Sequence, residues 1–119
     1  MRSILKEKSF DFAVKVVKLT QFLQHEKKEF VLSKQLLRSG TAIGALISEA
    51  RFGQSDADFL SKMYIALKEA NETEYWLRLL KKTEYIKDEQ YQEIYNDCDQ
   101  LLAMLIATTK TIKTKIGKK

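Results

Sequence analysis

Proline is absent from the 119 residues, glycine occurs four times, and cysteine, histidine and tryptophan occur once each. Without proline no residue forces a helix to stop or a linker to stay extended, so long helices are expected. The single cysteine, Cys98, permits no internal disulfide. The single histidine, His25, leaves no Glu-x-x-His pair of the kind that builds di-metal bundle sites. The longest purely apolar run, Leu101 to Ala107, has seven residues, far short of the ~20 that span a bilayer. The opening MRSILKEKSF lacks the apolar stretch of a secretory signal, so a cytoplasmic protein with no membrane association is expected. Arginine is scarce and confined to Arg2, Arg38, Arg51 and Arg78.

Charge is plentiful, and its placement matters more than its total. The net charge is +5, from 21 basic and 16 acidic residues. Five lysines (Lys110, Lys113, Lys115, Lys118, Lys119) fall in the last ten positions with no acid among them, so residues 1–109 balance. A solubilising tail on a neutral body is one reading. An electrostatic footprint for a polyanion is the other.

Apolar residues recur at helical spacing in four segments. The first covers about Ser3 to Glu26, with Leu5, Phe12, Val16, Leu19 and Leu23 on one stripe. The linker HEKKEFVL follows, and Ser33 is read as the next N-cap. The second helix runs from about Lys34 to Phe52, and Gly53 stands where helices often end in a left-handed residue. Ser55 and Asp58 form a capping box for the third helix, about Asp56 to Thr83. Asp88 is read as the cap of the fourth, which ends near Lys115. No strand pattern is present. Four long helices with short connections predict an all-α, up-down-up-down antiparallel four-helix bundle over residues 1–115, with a basic tail at 116–119.

That topology gathers Arg2, Lys6, Lys8, Arg51, Lys110, Lys113 and Lys115 at the pole shared by the chain termini and the turn at 52–55. These are the candidate nucleic-acid contacts, and Asp56 and Asp58 weaken the patch. Antiparallel pairing of helices two and three also brings Arg38 near Glu72, a charge pair suited to fixing register.

Within QLLRSGTAIGALISEARFG, Gly40 and Gly44 share a helix face with Ser39, Thr41, Ala42 and Ala45. Each glycine costs about 0.5–1 kcal/mol relative to alanine in a helix. A strip almost without side chains lets another helix approach closely and gain dispersion contacts. The neighbour is either a helix of the same bundle or one of another subunit. Tyr64, Tyr75 and Trp76 join Gly40 and Gly44 as candidate oligomer contacts, since aromatic rings outside a core often mark interfaces. The same rings could stack on bases, but arginines are not interleaved with them.

Catalytic chemistry finds little support. His25, Glu26 and Glu29 resemble H-E-x-x-H, but Glu29 stands where the second histidine belongs. Cys98 falls on the apolar stripe of helix four with no placed base. No glycine-rich phosphate loop and no metal-ligand set can be assembled, so no enzyme activity, cofactor, metal or small-molecule substrate is expected.

The stretches QLLRSGTAIGALISEA and DFLSKMYIALKEANETEYWLRLL, with KSFDFAVKVVKLTQFL before them, resemble a four-helix-bundle family first noticed as reading frames in intervening sequences of bacterial 23S rRNA genes. Gln35, Arg38, Ser39, Glu49 and Ala50 match its pattern, while Ala42 and Leu46 stand where members commonly carry serine and asparagine. The resemblance implies a homo-oligomer, a pentamer in related bundles. It also implies a tie to RNA or DNA, since a similar bundle is the accessory protein of diversity-generating retroelements. The function expected is a non-catalytic oligomer that binds structured RNA or DNA through its basic pole. The alternative is an oligomeric protein-interaction scaffold.

Overall fold

Each of the four apolar stripes forms a helix in the computed structural model, which describes residues 3–118. They are α1 (Ile4–His25), α2 (Leu32–Ala50), α3 (Asp56–Lys82) and α4 (Asp88–Gly117). Successive helices pack side by side, and α4 closes against α1, through the thinnest of the four seams. The chain is an all-α, up-down-up-down four-helix bundle, 52 Å long and 24 by 21 Å across. Its core is one cluster drawn from all four helices, including Phe12, Val16, Leu36, Ile43, Leu77, Cys98 and Leu105. Arg2 and Lys119 lie outside the described residues.

The two glycines of α2 serve α1 of the same chain. A Cβ on Gly40 would stand 2.8 Å from both methyls of Val16, and one on Gly44 would stand 3.3 Å from the Ser9 carbonyl oxygen. The other flank of α2 is polar. Arg38 pairs with Glu72 and, at 3.3 Å, with Glu69, while Gln35 Oε1 accepts from Arg38 Nε at 3.2 Å. Trp76 Nε1 donates to the same Glu72 carboxylate at 2.9 Å. Beneath them the buried Thr73 hydroxyl lies 2.9 Å from Ser39 Oγ. The register expected from Arg38 and Glu72 is therefore the one the bundle adopts.

The helix ends depart from expectation at three places. Asp88 does not cap α4; it is the first residue of the helix, and Lys87 is the N-cap. Ser33 does not cap α2; it is buried inside it, and Val31 is the N-cap residue. The cap is the buried Glu29 side chain, whose carboxylate accepts from the N–H groups of Val31 (3.1 Å), Leu32 (2.9 Å) and Ser33 (2.7 Å). The Ser33 hydroxyl returns a bond to the Glu29 carbonyl at 2.8 Å. Burial by itself would raise the Glu29 pKa, but the three backbone donors outweigh it and hold it below the usual carboxylate value of 4.5. Gly53 is not left-handed either. Its turn is tight instead: a Cβ there would meet the Ala50 carbonyl oxygen at 3.1 Å. Left-handed residues follow two other helices: Lys28, at φ 53°, beyond the end of α1, and Glu84, at φ 67°, which closes α3 with the Tyr85 N–H on the Leu80 carbonyl at 3.0 Å. Ser55 accepts from the Asp58 N–H at 3.1 Å as expected, and α4 runs two residues past Lys115.

Two variants test these contacts. Gly40→Ala should destabilise the fold by about 1–3 kcal/mol, since overpacking against a stiff β-branched residue outweighs the gain in helix propensity. Adding Val16→Ala should recover part of the loss in urea unfolding; independent, additive losses would show that the two side chains do not meet. Glu29→Gln should lower stability by about 1–2 kcal/mol at neutral pH. Because the folded-state pKa is depressed, the wild-type advantage is present above the unfolded value of 4.5 and fades as pH falls through the lower folded value. A difference that stayed constant down to strong acid would refute a role for the Glu29 charge.

Candidate functional site

Lys8 and Lys15 show how α4 sits against α1. Lys8 Nζ donates to Gln100 Oε1 at 3.0 Å, and Lys15 Nζ meets Glu93 at 3.3 Å and Asp97 at 2.5 Å. Carried back to Ile4, this register brings α1 to its start near Met104. Beyond that level α4 continues for about three turns without α1 alongside. Ala107, Lys110, Thr111, Thr114, Lys115 and Lys118 line the open face that results, all from one helix.

The pole is assembled as expected in part. Lys115 Nζ reaches Asp56 at 3.5 Å, tying the end of α4 to the start of α3. Ile112 shares a cavity of about 390 Å³ with Arg51, Gly53 and Asp56. Lys6 and Arg51 meet around a second cavity of about 750 Å³. Among the described residues Lys110, Lys113 and Lys118 are exposed and make no ion pair. Lys8 does not join them, since its head group is turned to the α1–α4 seam.

Of the candidate oligomer contacts, Gly40, Gly44 and Trp76 have partners within the chain. Tyr64 and Tyr75 are 40% and 55% exposed. Tyr75 also lines an apolar groove of about 550 Å³ between α3 and α4, with Leu67, Leu102 and Ile106. Sequence reasoning passed over Leu102 and Ile106 here, because only the pairing of α3 with α4 brings them beside Tyr75.

Neither His25 nor Cys98 stands in a reactive setting. His25 is exposed at the end of α1. Cys98 is buried with its thiol 3.5 Å from the Ala70 carbonyl oxygen. Burial first, then the charges of Glu74, Asp99 and Asp97, push its pKa far up, the opposite of an activated thiolate. No group of three or more metal-ligating side chains occurs among the described residues, and no helix among them is long and apolar enough to cross a membrane.

Glu74 is the unexpected group. It is 9% exposed in the α3–α4 seam, and its Oε2 has no hydrogen-bond partner. Burial and the neighbouring Asp99 carboxyl raise its pKa to about 7, while the charge of Arg78 pulls the other way. Sequence gave no signal of it, because the shift depends on a residue of another helix.

Comparison with known proteins was informative at the level of family. The family model described as 23S rRNA-intervening sequence protein matches residues 2–107. The crystal structure of a protein of unknown function from the S23 ribosomal protein family, from Bacteroides thetaiotaomicron VPI-5482, is similar with a TM-score of 0.89. The two chains are 59% identical, over 90% of this chain and 99% of that one. No curated protein matches.

The raised Glu74 pKa makes a directional prediction. The folded state holds this proton more tightly than the unfolded chain does. The associated stability is full below the unfolded value of 4.5 and is lost as pH rises through about 7. Glu74→Gln should therefore be more stable than wild type at pH 8, by roughly 1–3 kcal/mol, and nearly equal at pH 5. Urea midpoints at the two pH values check this, and an equal effect at both would refute it.

Proposed function

The chain belongs to the family of 23S rRNA-intervening sequence proteins, and from that premise we propose that it is a non-catalytic, homo-oligomeric module that binds structured RNA or DNA through its basic pole. The observation that carries this reading is the end of α4. Lys110, Lys113 and Lys118 stand exposed and without acid partners on turns that have outrun α1, beside Arg51 at the α2–α3 turn. Lysines without acid partners on these turns neutralise phosphates without reading sequence and release counterions on binding. Several copies in one assembly would multiply a modest patch into an avid one.

The oligomer is part of the proposal, with five subunits as the number that related bundles suggest. Its support is the α3–α4 surface, where Tyr75 and Ile106 are left 55% and 49% exposed on a groove that no helix of the same chain fills, with Tyr64 of α3 also 40% exposed. That surface, with the charge balance of residues 1–109, equally favours the second reading, a protein-interaction scaffold on which nucleic acid is incidental.

Anisotropy of a labelled structured RNA over a salt series separates the two. Wild-type affinity should fall steeply with salt. Replacing Lys110, Lys113 and Lys118 together by glutamine should flatten the log–log slope by roughly two to three and weaken binding to all sequences alike. Wild-type protein that binds no RNA or DNA at low salt, or a variant that binds as well as wild type, would reject the basic pole and leave the scaffold.

A further inference from the structure

Phe52 is the most exposed apolar residue of the chain that the structure describes, at 76%, and it belongs to no core cluster. It is held outward by the backbone. Its own N–H bonds the Glu49 carbonyl at 3.0 Å and the next, Gly53, bonds Ala50 at 3.0 Å. The turn is tight at Gly53, where a Cβ would crowd both the Ala50 oxygen and the Phe59 N–H. The Arg51 guanidinium stands over the ring, 5.2 Å from its centroid. One face of Phe52 is thus backed by a cation.

The same Arg51 lines the 750 Å³ cavity, where it and Lys6 surround the apolar side chains of Phe10, Ile47 and Met63. Phe10 is itself 67% exposed. Glu7 and Asp11 stand on the same rim, so the cavity is charge-balanced and no better suited to a bare phosphate than to a neutral polar group. The lysines without acid partners belong to the same pole, at the end of α4, whose Ile112 lines one cavity with Arg51.

We propose that this turn is a stacking platform for an unpaired base, with the base on the open face of Phe52 and the flanking phosphates on Lys110, Lys113 and Lys118. The proposal rests on the nucleic-acid reading above and names its substrate class as single-stranded or looped-out nucleic acid. A flat aromatic ring with a guanidinium on its far face suits a base, which offers a π surface whatever its sequence. A neutral rim with both acids and bases offers acceptors and donors to base edges. An anionic lipid surface is the competing partner for exposed phenylalanines among lysines. Glu7, Asp11 and Asp58, at this same pole, would be driven into its headgroups.

The test measures anisotropy at low salt with a labelled single-stranded oligouridylate and a blunt RNA duplex of equal length. Proteins compared are wild type, Phe52→Ala, Phe52→Trp and the triple lysine variant, with circular dichroism confirming helix content. Phe52→Ala should weaken the single strand about tenfold and the duplex by less than about twofold, and Phe52→Trp should restore single-strand binding. Equal losses on both ligands, or none on either, with the lysine variant still impaired, would overturn the platform and leave the basic pole standing. Wild-type protein that binds neither ligand would overturn both. Sedimentation with phosphatidylserine vesicles gives the last outcome: vesicle binding abolished by Phe52→Ala, with single-strand binding unchanged, would reassign the ring to a lipid surface.

Discussion

The close approach of α1 and α2 sets the rest of the bundle. Gly40 has no side chain because the Val16 methyls occupy the place where one would be, and at Gly44 the Ser9 backbone comes nearly as close. Helices that meet backbone to backbone have little freedom to slide, since each side chain fits one gap of its neighbour. The contact holds α1 at a fixed level on α2. The Arg38–Glu72 pair and the buried Ser39–Thr73 contact hold α3 at a fixed level on the opposite flank. These positions bring the start of α1 and the α2–α3 turn to one end.

From that levelling the geometry of α4 follows. It pairs with α3 along its whole length, from Lys81 and Asp88 at one end to Asp56 and Lys115 at the other. Against α1 it has company only as far as α1 extends. The last turns of α4 therefore carry their lysines into open space, beside a turn that itself ends in a cation and an exposed ring. The basic pole is a consequence of unequal helix lengths in a registered bundle as much as of where lysines occur in the chain.

The polar groups inside the bundle divide by how they are satisfied. Glu29 is buried but meets three backbone donors, and its charge is held at the place where the first turn of α2 needs an acceptor. Glu74 is buried beside another carboxyl and has an oxygen without any partner. The first anchors a helix end; the second makes the α3–α4 seam sensitive to protons near neutrality. That seam is also where the apolar groove and the exposed Tyr75 lie, so its electrostatics and its capacity for contact belong to one surface.

The sequence by itself determined the four helices, their order and most of their limits, because a three-four apolar spacing and the absence of proline are local properties. The Arg38–Glu72 register follows from counting residues away from a turn, the Ser55 cap from a local pattern, and the burial of Cys98 from its place on an apolar stripe. Tertiary structure decided what depends on neighbours distant in the chain. Ser33 reads as a cap until Glu29 folds back onto the N–H groups of Val31, Leu32 and Ser33 itself, so that the helix starts ahead of it. Gly53 reads as left-handed until the turn proves merely tight. Gly40, Gly44 and Trp76 read equally well as surface or interior until α1 and Glu72 take them. Phe52 reads as the last residue of a helix and Glu74 as one acid among many. The exposure of the one and the proton affinity of the other come from which helices pass beside them, and no local spacing encodes that.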